Sequence, residues 1–351
     1  MTRPGASPTF DPGGHPRRGC IVSLLTGALT VSVVVFVGLL VWGWLYYGPG
    51  PANRDTTVIL RRGAGVAEIG AALKREHVIG SAAVFDLTAE ITGEHRRLKA
   101  GEYAFPAHAS LARVLGRIAS GLVVRHFVTL PEGRTSAQAA AILRANPVLA
   151  GDVATPPEGA LLPDTYEVTR GELRVNVIQR MRAARDALVA ELWAHRRPDL
   201  PFHTPDQAVT LASIVEKETA LASERNRVAA VYINRLRKGM KLDADPTTIY
   251  GISHGEPLGR GLRQSELLAA TPYNTYVAPG LPPTPIANPG RASLQAVFNP
   301  APTQDLYFVA NGTGGSSFAA TLDEHARNVA RWRHFEAARA HRRAACPGAA
   351  C

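Results

Sequence analysis

The feature that most constrains this chain is an uncharged apolar run over residues 21–47. A helix of about 20 apolar residues spans the hydrocarbon core of a bilayer, so this run is long enough to cross a membrane. Trp42, Trp44, Tyr46 and Tyr47 cluster at its end, as aromatic side chains do at a membrane–water interface. A buried core helix is rarely this long without a polar face, and a signal peptide has a shorter apolar region ending in small residues. The run therefore predicts an uncleaved membrane anchor.

Basic residues set the expected orientation of this anchor. Arg17 and Arg18 directly precede the run, whereas the arginines that follow it begin only at Arg54. A short basic N-terminus usually stays in the cytoplasm, which places the rest of the chain outside it. Residues 55–340 contain no cysteine, as fits an oxidising compartment, while Cys346 and Cys351 in the tail could pair or stay free.

The net charge does not indicate a nucleic-acid partner. The chain has 39 Lys and Arg against 29 Asp and Glu, a formal charge of +10. Residues 1–20 account for +2 of this charge and residues 325–351 for +5, which leaves only +3 on the body. A nucleic-acid binder needs a focused basic stripe on its folded surface, and the body has none in its sequence. We therefore expect no nucleic-acid binding.

The pattern beyond the anchor predicts an α+β fold class with a small module and a larger catalytic domain. Strands alternate with helices up to about residue 145, helices dominate from 174 to 238, and Pro and Gly make 240–290 a long loop region. A patch rich in Pro and Gly at 146–160 looks disordered, and 305–321 reads as a β-hairpin with an Asn-Gly turn. The predicted divisions are a cytoplasmic N-terminus (1–20), the anchor (21–47), a linker (48–54), the module (55–125), the catalytic domain (126–335) and a basic flexible tail (336–351).

Common catalytic and metal motifs are missing from the sequence. There is no H-E-x-x-H, C-x-x-C, G-x-S-x-G or Walker pattern, and the histidines lack ligand spacing. We therefore expect no metal and no cofactor. Carboxylates and polar loop residues remain as the candidates for chemistry.

The best candidates lie on a helix that opens at Thr204-Pro205-Asp206-Gln207, where Thr204 and Gln207 can form a capping box. Helical periodicity puts Glu216 and Glu218 on opposite flanks of its apolar stripe. A carboxyl at the edge of an apolar face is partly desolvated, which raises its pKa and suits it to donate a proton. Ordinary boundary carboxylates paired with nearby cations are the alternative, and periodicity does not choose between the two glutamates.

Three long segments carry a family resemblance. Residues 211–252, which contain LASIVEKET, residues 273–318, which begin YNTYVAPGLPP, and residues 157–168, PEGALLPDTYEV, resemble signatures of the YceG-like endolytic murein transglycosylases. The likeness runs from about residue 55 to 335 and departs locally, at Ala160 and Leu161, where the family more often has bulkier residues.

The resemblance implies an inner-membrane enzyme with a periplasmic catalytic domain that cuts peptidoglycan glycan strands internally. Such enzymes cleave the β-1,4 bond between N-acetylmuramic acid and N-acetylglucosamine, leave a 1,6-anhydro end, and would thereby terminate nascent strands. The attacking group is the substrate's own C6 hydroxyl, so one carboxyl suffices where ordinary glycosidases need two. The resemblance places this acid on Glu216, with Glu218 as the second choice. It also implies that the module is LysM-like and that peptidoglycan synthases are partners.

Several polar residues are candidates to line a substrate groove in the loop region. Hydrogen bonds that only structure the loops are an equally good interpretation of each. The alternative function for the whole chain is a non-catalytic peptidoglycan-binding scaffold of the wall-synthesis machinery. The candidate groove residues are Tyr250, Tyr273, Asn274, Thr275 and Asn288.

Overall fold

The computed structural model describes the backbone of residues 17–345 and the side-chain surroundings of residues 25–339. The chain divides into two compact units, and the division falls between Val124 and Arg125. Predictions about residues 1–16, and about Cys346 and Cys351, lie outside the described residues.

The N-terminal unit begins with helix α1 (Arg17–Tyr47). Its segment Leu25–Tyr47 has a mean hydropathy of 2.3 and is long and apolar enough to cross a membrane. None of that apolar window is buried against the rest of the protein, unlike a core helix. It is the one helix of this kind among the described residues.

A small module with helices beside a two-stranded sheet follows α1. Its strands pair antiparallel, with Val58 opposite Tyr103, and both residues lie in a core with Phe85 and Leu115. The helix positions follow from their apolar spacing, which directs one face of each helix to this core. The elements are β1 (Thr56–Leu60), α2 (Val66–Arg75), α3 (Ala82–Ile91), β2 (Gly101–Phe105) and α4 (Leu111–Ser120).

The second unit is mostly helical, with two antiparallel strand pairs. Its main core lies where α7 packs against α8 and α11, around Leu211, Val215, Tyr232 and Leu294. The strands are β3 (His126–Thr129) paired with β4 (Thr165–Val168), and β5 (Tyr307–Ala310) paired with β6 (Ser316–Ala319). The helices are α5 (Ser136–Ala145), α6 (Arg174–Ala194), α7 (Pro205–Glu218), α8 (Arg225–Arg237), α9 (Asp245–Ser253), α10 (Gln264–Leu267), α11 (Arg291–Phe298) and α12 (Leu322–Ala345).

Helix α7 begins as its sequence predicts. The Thr204 hydroxyl accepts from the Gln207 N–H at 3.3 Å, and the Gln207 side chain accepts from the Thr204 N–H at 3.4 Å, completing the capping box. Two of the N–H groups that a helix start leaves without partners are thereby satisfied. The helix ends at Glu218, because Thr219 adopts an extended conformation.

Several segments differ from the sequence-based expectation. The region 240–290 is not a continuous loop, since it contains α9 and α10, and strand β4 was not foreseen. The patch at 146–160 is irregular but fixed, because the Arg174 guanidinium donates to the carbonyl oxygens of Asn146 and Gly151 at 2.9 and 2.5 Å. Helix α12 continues through Ala345, so the part of the expected flexible tail up to that residue is helical, as its alanine and arginine content favours.

Candidate active site

The two glutamates at the C-terminal end of α7 have separate sets of neighbours. Glu216 is half-buried, and its Oε2 accepts a hydrogen bond from the backbone N–H of Gly290 at 2.9 Å. The bond ties α7 to the start of α11, 74 positions further along the chain. This side of the helix end is therefore held by backbone contacts.

A second carboxylate, Glu132, lies beside Glu216. A Cβ added to Gly290 would lie 1.8 Å from Glu132 Oε1, so the Glu132 carboxylate rests directly on the Gly290 backbone. Burial, followed by the negative charge of Glu216, raises the pKa of Glu132, while the guanidinium of Arg225 lowers it. Glu132, Glu216 and Gly290 thus form one close-packed cluster, which sequence analysis did not anticipate.

Glu218 lies on the other flank of the same helix end. Its Oε1 accepts a hydrogen bond from the Tyr232 hydroxyl at 2.8 Å. Tyr232 is 2% exposed and sits on α8, where it packs into the main core. The next residue, Thr219, is also buried, and its hydroxyl accepts from the Leu221 N–H at 3.1 Å. The carboxyl of Glu218 is therefore held by a rigid, buried donor.

The surroundings of Glu218 favour its protonated form. Burial is the largest cause and, with the negative charge of Asp245, raises the pKa of Glu218 to about 7. The hydrogen bond from Tyr232 and the positive charge of Arg235 act in the opposite direction and are outweighed. A carboxyl with a pKa near neutrality can both donate and accept a proton at physiological pH.

Polar residues from α8, α9 and the following loop complete this side. The Tyr276 hydroxyl donates to Asp245 Oδ1 at 2.5 Å, and the Arg235 guanidinium pairs with Asp243 at 2.8 Å. Burial raises the pKa of Tyr276, and its hydrogen bond to Asp245 raises it further. Asp245 is exposed at the first turn of α9.

Two of the five predicted groove residues, Tyr250 and Tyr273, are half-buried with their rings 5.1 Å apart. The Tyr250 hydroxyl donates to Glu158 Oε2 at 3.2 Å, and Glu158 also accepts from the Ser136 N–H at 2.7 Å. Burial raises the pKa of Glu158, against the effect of those hydrogen bonds. These two tyrosines retain enough exposure to meet a ligand.

The other three predicted groove residues are fully enclosed. Asn274 is 0% exposed and donates to three backbone carbonyl oxygens, of Glu266, Leu267 and Ala269. Thr275 accepts from the Ala244 N–H at 3.0 Å, and Asn288 accepts from the Leu161 N–H at 2.9 Å. Their polar groups are satisfied within the protein, so these residues structure the loops instead of lining a groove.

Sequence periodicity missed the partners that distinguish the two glutamates, namely Tyr232, Tyr276 and Glu132. Their sequence positions gave a weak signal, since Tyr232 and Tyr276 both lie inside the segments that carry the family resemblance. Among the described residues, no group of three or more His, Cys, Asp or Glu side chains is placed to hold a metal ion.

A half-buried carboxyl with a pKa raised to near neutrality, held by a buried tyrosine, is typical of an acid–base catalytic site. The sequence model of the YceG-like family matches residues 58–331, and the chain therefore belongs to that family.

Curated relatives agree with this assignment. The endolytic murein transglycosylase of Bacillus subtilis (strain 168) is 29% identical over 328 residues, which cover 82% of this chain and 89% of the relative. The endolytic murein transglycosylase of Streptococcus pneumoniae (strain D39) is 28% identical over 364 residues, which cover 86% of this chain and 65% of the relative. A YceG-like protein of Listeria monocytogenes has a solved structure with 27% identity and a TM-score of 0.49, covering 78% of this chain and 98% of that one.

Proposed function

We propose that the chain is a membrane-anchored lytic endotransglycosylase of peptidoglycan. It cleaves the β-1,4 bond between N-acetylmuramic acid and N-acetylglucosamine inside glycan strands and leaves 1,6-anhydro ends. Membership of the YceG-like family and the names of the curated relatives support this activity. The single structural observation that carries it is the carboxyl of Glu218, which has a pKa of about 7 and a fixed hydrogen bond to Tyr232.

The geometry favours Glu218, the second choice of the sequence analysis, over Glu216 as the general acid. Burial raises the pKa of Glu218 to about 7, so about half of the carboxyl is protonated at pH 7 and more below it, as a group that protonates a glycosidic oxygen must be. Glu216 instead accepts the Gly290 N–H and lies beside the Glu132 carboxylate. We assign Glu216 a positioning role, in which it holds the start of α11 against the end of α7.

One carboxyl can perform both proton transfers of the proposed reaction. Glu218 first donates its proton to the oxygen of the leaving N-acetylglucosamine as the glycosidic C–O bond breaks. The resulting carboxylate then accepts the proton of the muramic acid C6 hydroxyl, whose oxygen bonds to C1 and closes the anhydro ring. The proton returns to Glu218, so the residue ends as it began and no water is consumed. Tyr232 stabilises the carboxylate between the two steps through its hydrogen bond.

The proposal includes anchoring by α1. Its segment Leu25–Tyr47 meets the length and composition of a spanning helix, and arginines precede it. This arrangement supports an inner-membrane location with a cytoplasmic N-terminus and a periplasmic catalytic unit. An enzyme tethered there would meet glycan strands as they leave the membrane, so internal cleavage would terminate their elongation. Peptidoglycan synthases would be its neighbours.

The small module is proposed to be LysM-like and to bind glycan. Its order of strand, two helices and strand, with β1 and β2 antiparallel, supports this proposal. An open groove of about 400 Å³ runs beside β1 and α2 and is lined by Ile59, Arg61, Glu68 and Arg75, among others. It offers both apolar and hydrogen-bonding groups, as an acetylated sugar requires.

Mass spectrometry of digests tests the function. Full-length chain in detergent is mixed with purified peptidoglycan, and 1,6-anhydro ends are quantified for wild type, Glu218→Gln and Glu216→Gln. We expect Glu218→Gln to lower the rate by about 1,000-fold or more, and Glu216→Gln by about tenfold or less. Gln keeps the size and one acceptor oxygen of each side chain, so folding is preserved in both variants. Wild-type protein that releases no anhydro ends would favour the scaffold function, and full activity in Glu218→Gln would refute the assignment of the acid.

A further inference from the structure

Helix α3 of the small module exposes an apolar stripe that no other part of the chain covers among the described residues. Leu87 is 56% exposed and Ile91 is 63% exposed, and Ala83 is exposed one turn earlier. Residues four apart lie on one face of a helix, so the three side chains form a continuous strip. The opposite face of α3, with Phe85 and Ala89, is fully buried in the module core.

The start of α3 lies beside the end of α1. A cavity of about 270 Å³ is lined by Trp44 and Leu45 of α1 together with Ser81 and Val84 at the start of α3. The segment that follows α3 also returns there, because the Glu94 carboxylate lies within electrostatic range of the Tyr46 phenol. Both ends of α3 are thus close to the last turns of α1.

The depth of these contacts along α1 is informative. Trp42 and Gly43 are half-buried, and Tyr46 packs against the module core, whereas Trp44 and Tyr47 are exposed. The six residues from Trp42 to Tyr47 span about 8 Å of helix at about 1.5 Å per residue. Such aromatic residues sit at the level of lipid headgroups. The module therefore touches α1 at the depth of the headgroups, not above them.

Basic side chains follow the stripe directly. Arg96, Arg97 and Lys99 are exposed in the segment after α3, and Glu94 is the only carboxylate between residues 94 and 99. Arg97 pairs with Glu94 at 3.6 Å, and the exposed carboxylate of Glu90 lies beside Ile91, so residues 90–99 together carry a net charge of +1. An apolar strip next to exposed cations is the combination that binds an anionic lipid surface.

We propose that the stripe of Ala83, Leu87 and Ile91, with Arg96, Arg97 and Lys99, is a membrane-docking surface for anionic lipid. The surface rests on the proposed anchoring by α1 and adds a second attachment to the same membrane. Docking would hold the module flat against the bilayer, which limits how far from the membrane glycan can be bound.

Lipid-borne quenchers test this surface in the full chain. Cys20, Cys346 and Cys351 are replaced by serine, and an environment-sensitive fluorophore is attached at Leu87→Cys or Ile59→Cys. Ile59 is a matched control, because it is an aliphatic residue of the same module with 54% exposure and points away from the core on β1. A third label at Val35→Cys reports on α1 itself. The protein is reconstituted in phosphatidylglycerol-containing vesicles with nitroxide lipids.

We expect quenching at Leu87 to exceed that at Ile59 by about twofold or more, as for a side chain inserted into the headgroup boundary. Pure phosphatidylcholine vesicles, or Arg96→Ala with Arg97→Ala, should lower the quenching at Leu87, because the ionic attraction is lost. Equal quenching at Leu87 and Ile59, with Val35 quenched, would overturn the docking surface and leave the anchor intact. An unquenched Val35 would instead overturn the anchoring. Quenching at Leu87 that ignores lipid charge would overturn the role of the arginines.

Discussion

The two flanks of the α7 end carry the same kind of side chain in opposite surroundings. Glu216 meets a backbone N–H and a second carboxylate, and these contacts join α7 to α11 and to the loop after β3. Glu218 meets a buried phenol, and burial raises its pKa to about 7. The comparison teaches that burial, more than the type of side chain, decides the pKa of a carboxyl. Under the proposed function, Glu218 transfers the proton and Glu216 holds the start of α11 in position.

The largest expected effect is the loss of folding stability when the buried carboxyl of Glu218 ionises. Its pKa is about 7 in the folded protein against an ordinary value of 4.5, so the unfolded chain loses this proton at a lower pH than the folded one. Wild-type stability should therefore fall as pH rises from about 4.5 to about 7, by up to about 3 kcal/mol. Glu218→Gln has no proton to lose and should be more stable than wild type by that amount at pH 8, and equal to it at pH 4.

Urea unfolding of the full chain in detergent at the two pH values measures this difference. The pH 4 data serve as the internal control, since packing changes caused by the amide would appear at both pH values. If Glu218→Gln were no more stable than wild type at pH 8, Glu218 would not be desolvated. The proposed difference in surroundings between Glu218 and Glu216 would then be wrong.

A smaller effect on the free energy of unfolding is expected from a substitution at Gly290, beside Glu216. Gly290 has φ −73°, so alanine is allowed there by backbone conformation, but its Cβ would collide with Glu132. Glu132 is an exposed and flexible side chain, so moving it aside is expected to cost about 1 kcal/mol. Gly290→Ala should lower the free energy of unfolding by that amount, and adding Glu132→Ala should recover part of it.

Gly261→Ala is the matched control for Gly290→Ala. Gly261 has no atom near the added Cβ and no left-handed φ, so the variant should stay within about 0.5 kcal/mol of wild type in the same urea titration. If Gly290→Ala kept full stability yet abolished formation of anhydro ends, the Glu216 flank would be catalytic and the comparison would be reversed.

The start of α7 and the placement of its glutamates were predictable, whereas their chemistry was not. Thr204 and Gln207 are three residues apart, and such local caps follow from the sequence. Helical periodicity likewise separated Glu216 from Glu218. Their partners, however, lie 74 and 14 positions away, and Asn288 reaches Ser136 across 152 positions. Such distant contacts determine how deeply a side chain is buried. That burial decides the pKa of Glu218 and encloses Asn274 and Asn288, and it cannot be predicted from the local sequence pattern.

The smallest effect sharpens the role of Tyr232. Its hydroxyl stabilises the ionised form of Glu218, so Tyr232→Phe should raise the pKa of Glu218 above its value of about 7. A hydrogen bond of this kind contributes about 1 kcal/mol, which corresponds to a shift of about one pH unit. Because the reaction needs the protonated acid, the pH above which activity declines should move upward by that amount.

Rates of anhydro-end formation between pH 5 and 9 would measure the shift. The matched control is Tyr250→Phe, which removes the same hydroxyl from a tyrosine that donates to Glu158 instead. Its alkaline limb should coincide with that of wild type, whatever the change in absolute rate. An unmoved limb in Tyr232→Phe, or the same displacement in both variants, would mean that Glu218 is not the titrating acid. A shift confined to Tyr232→Phe would tie the alkaline limb to one flank of α7, because Tyr232 contacts Glu218 whereas Glu216 binds the Gly290 backbone.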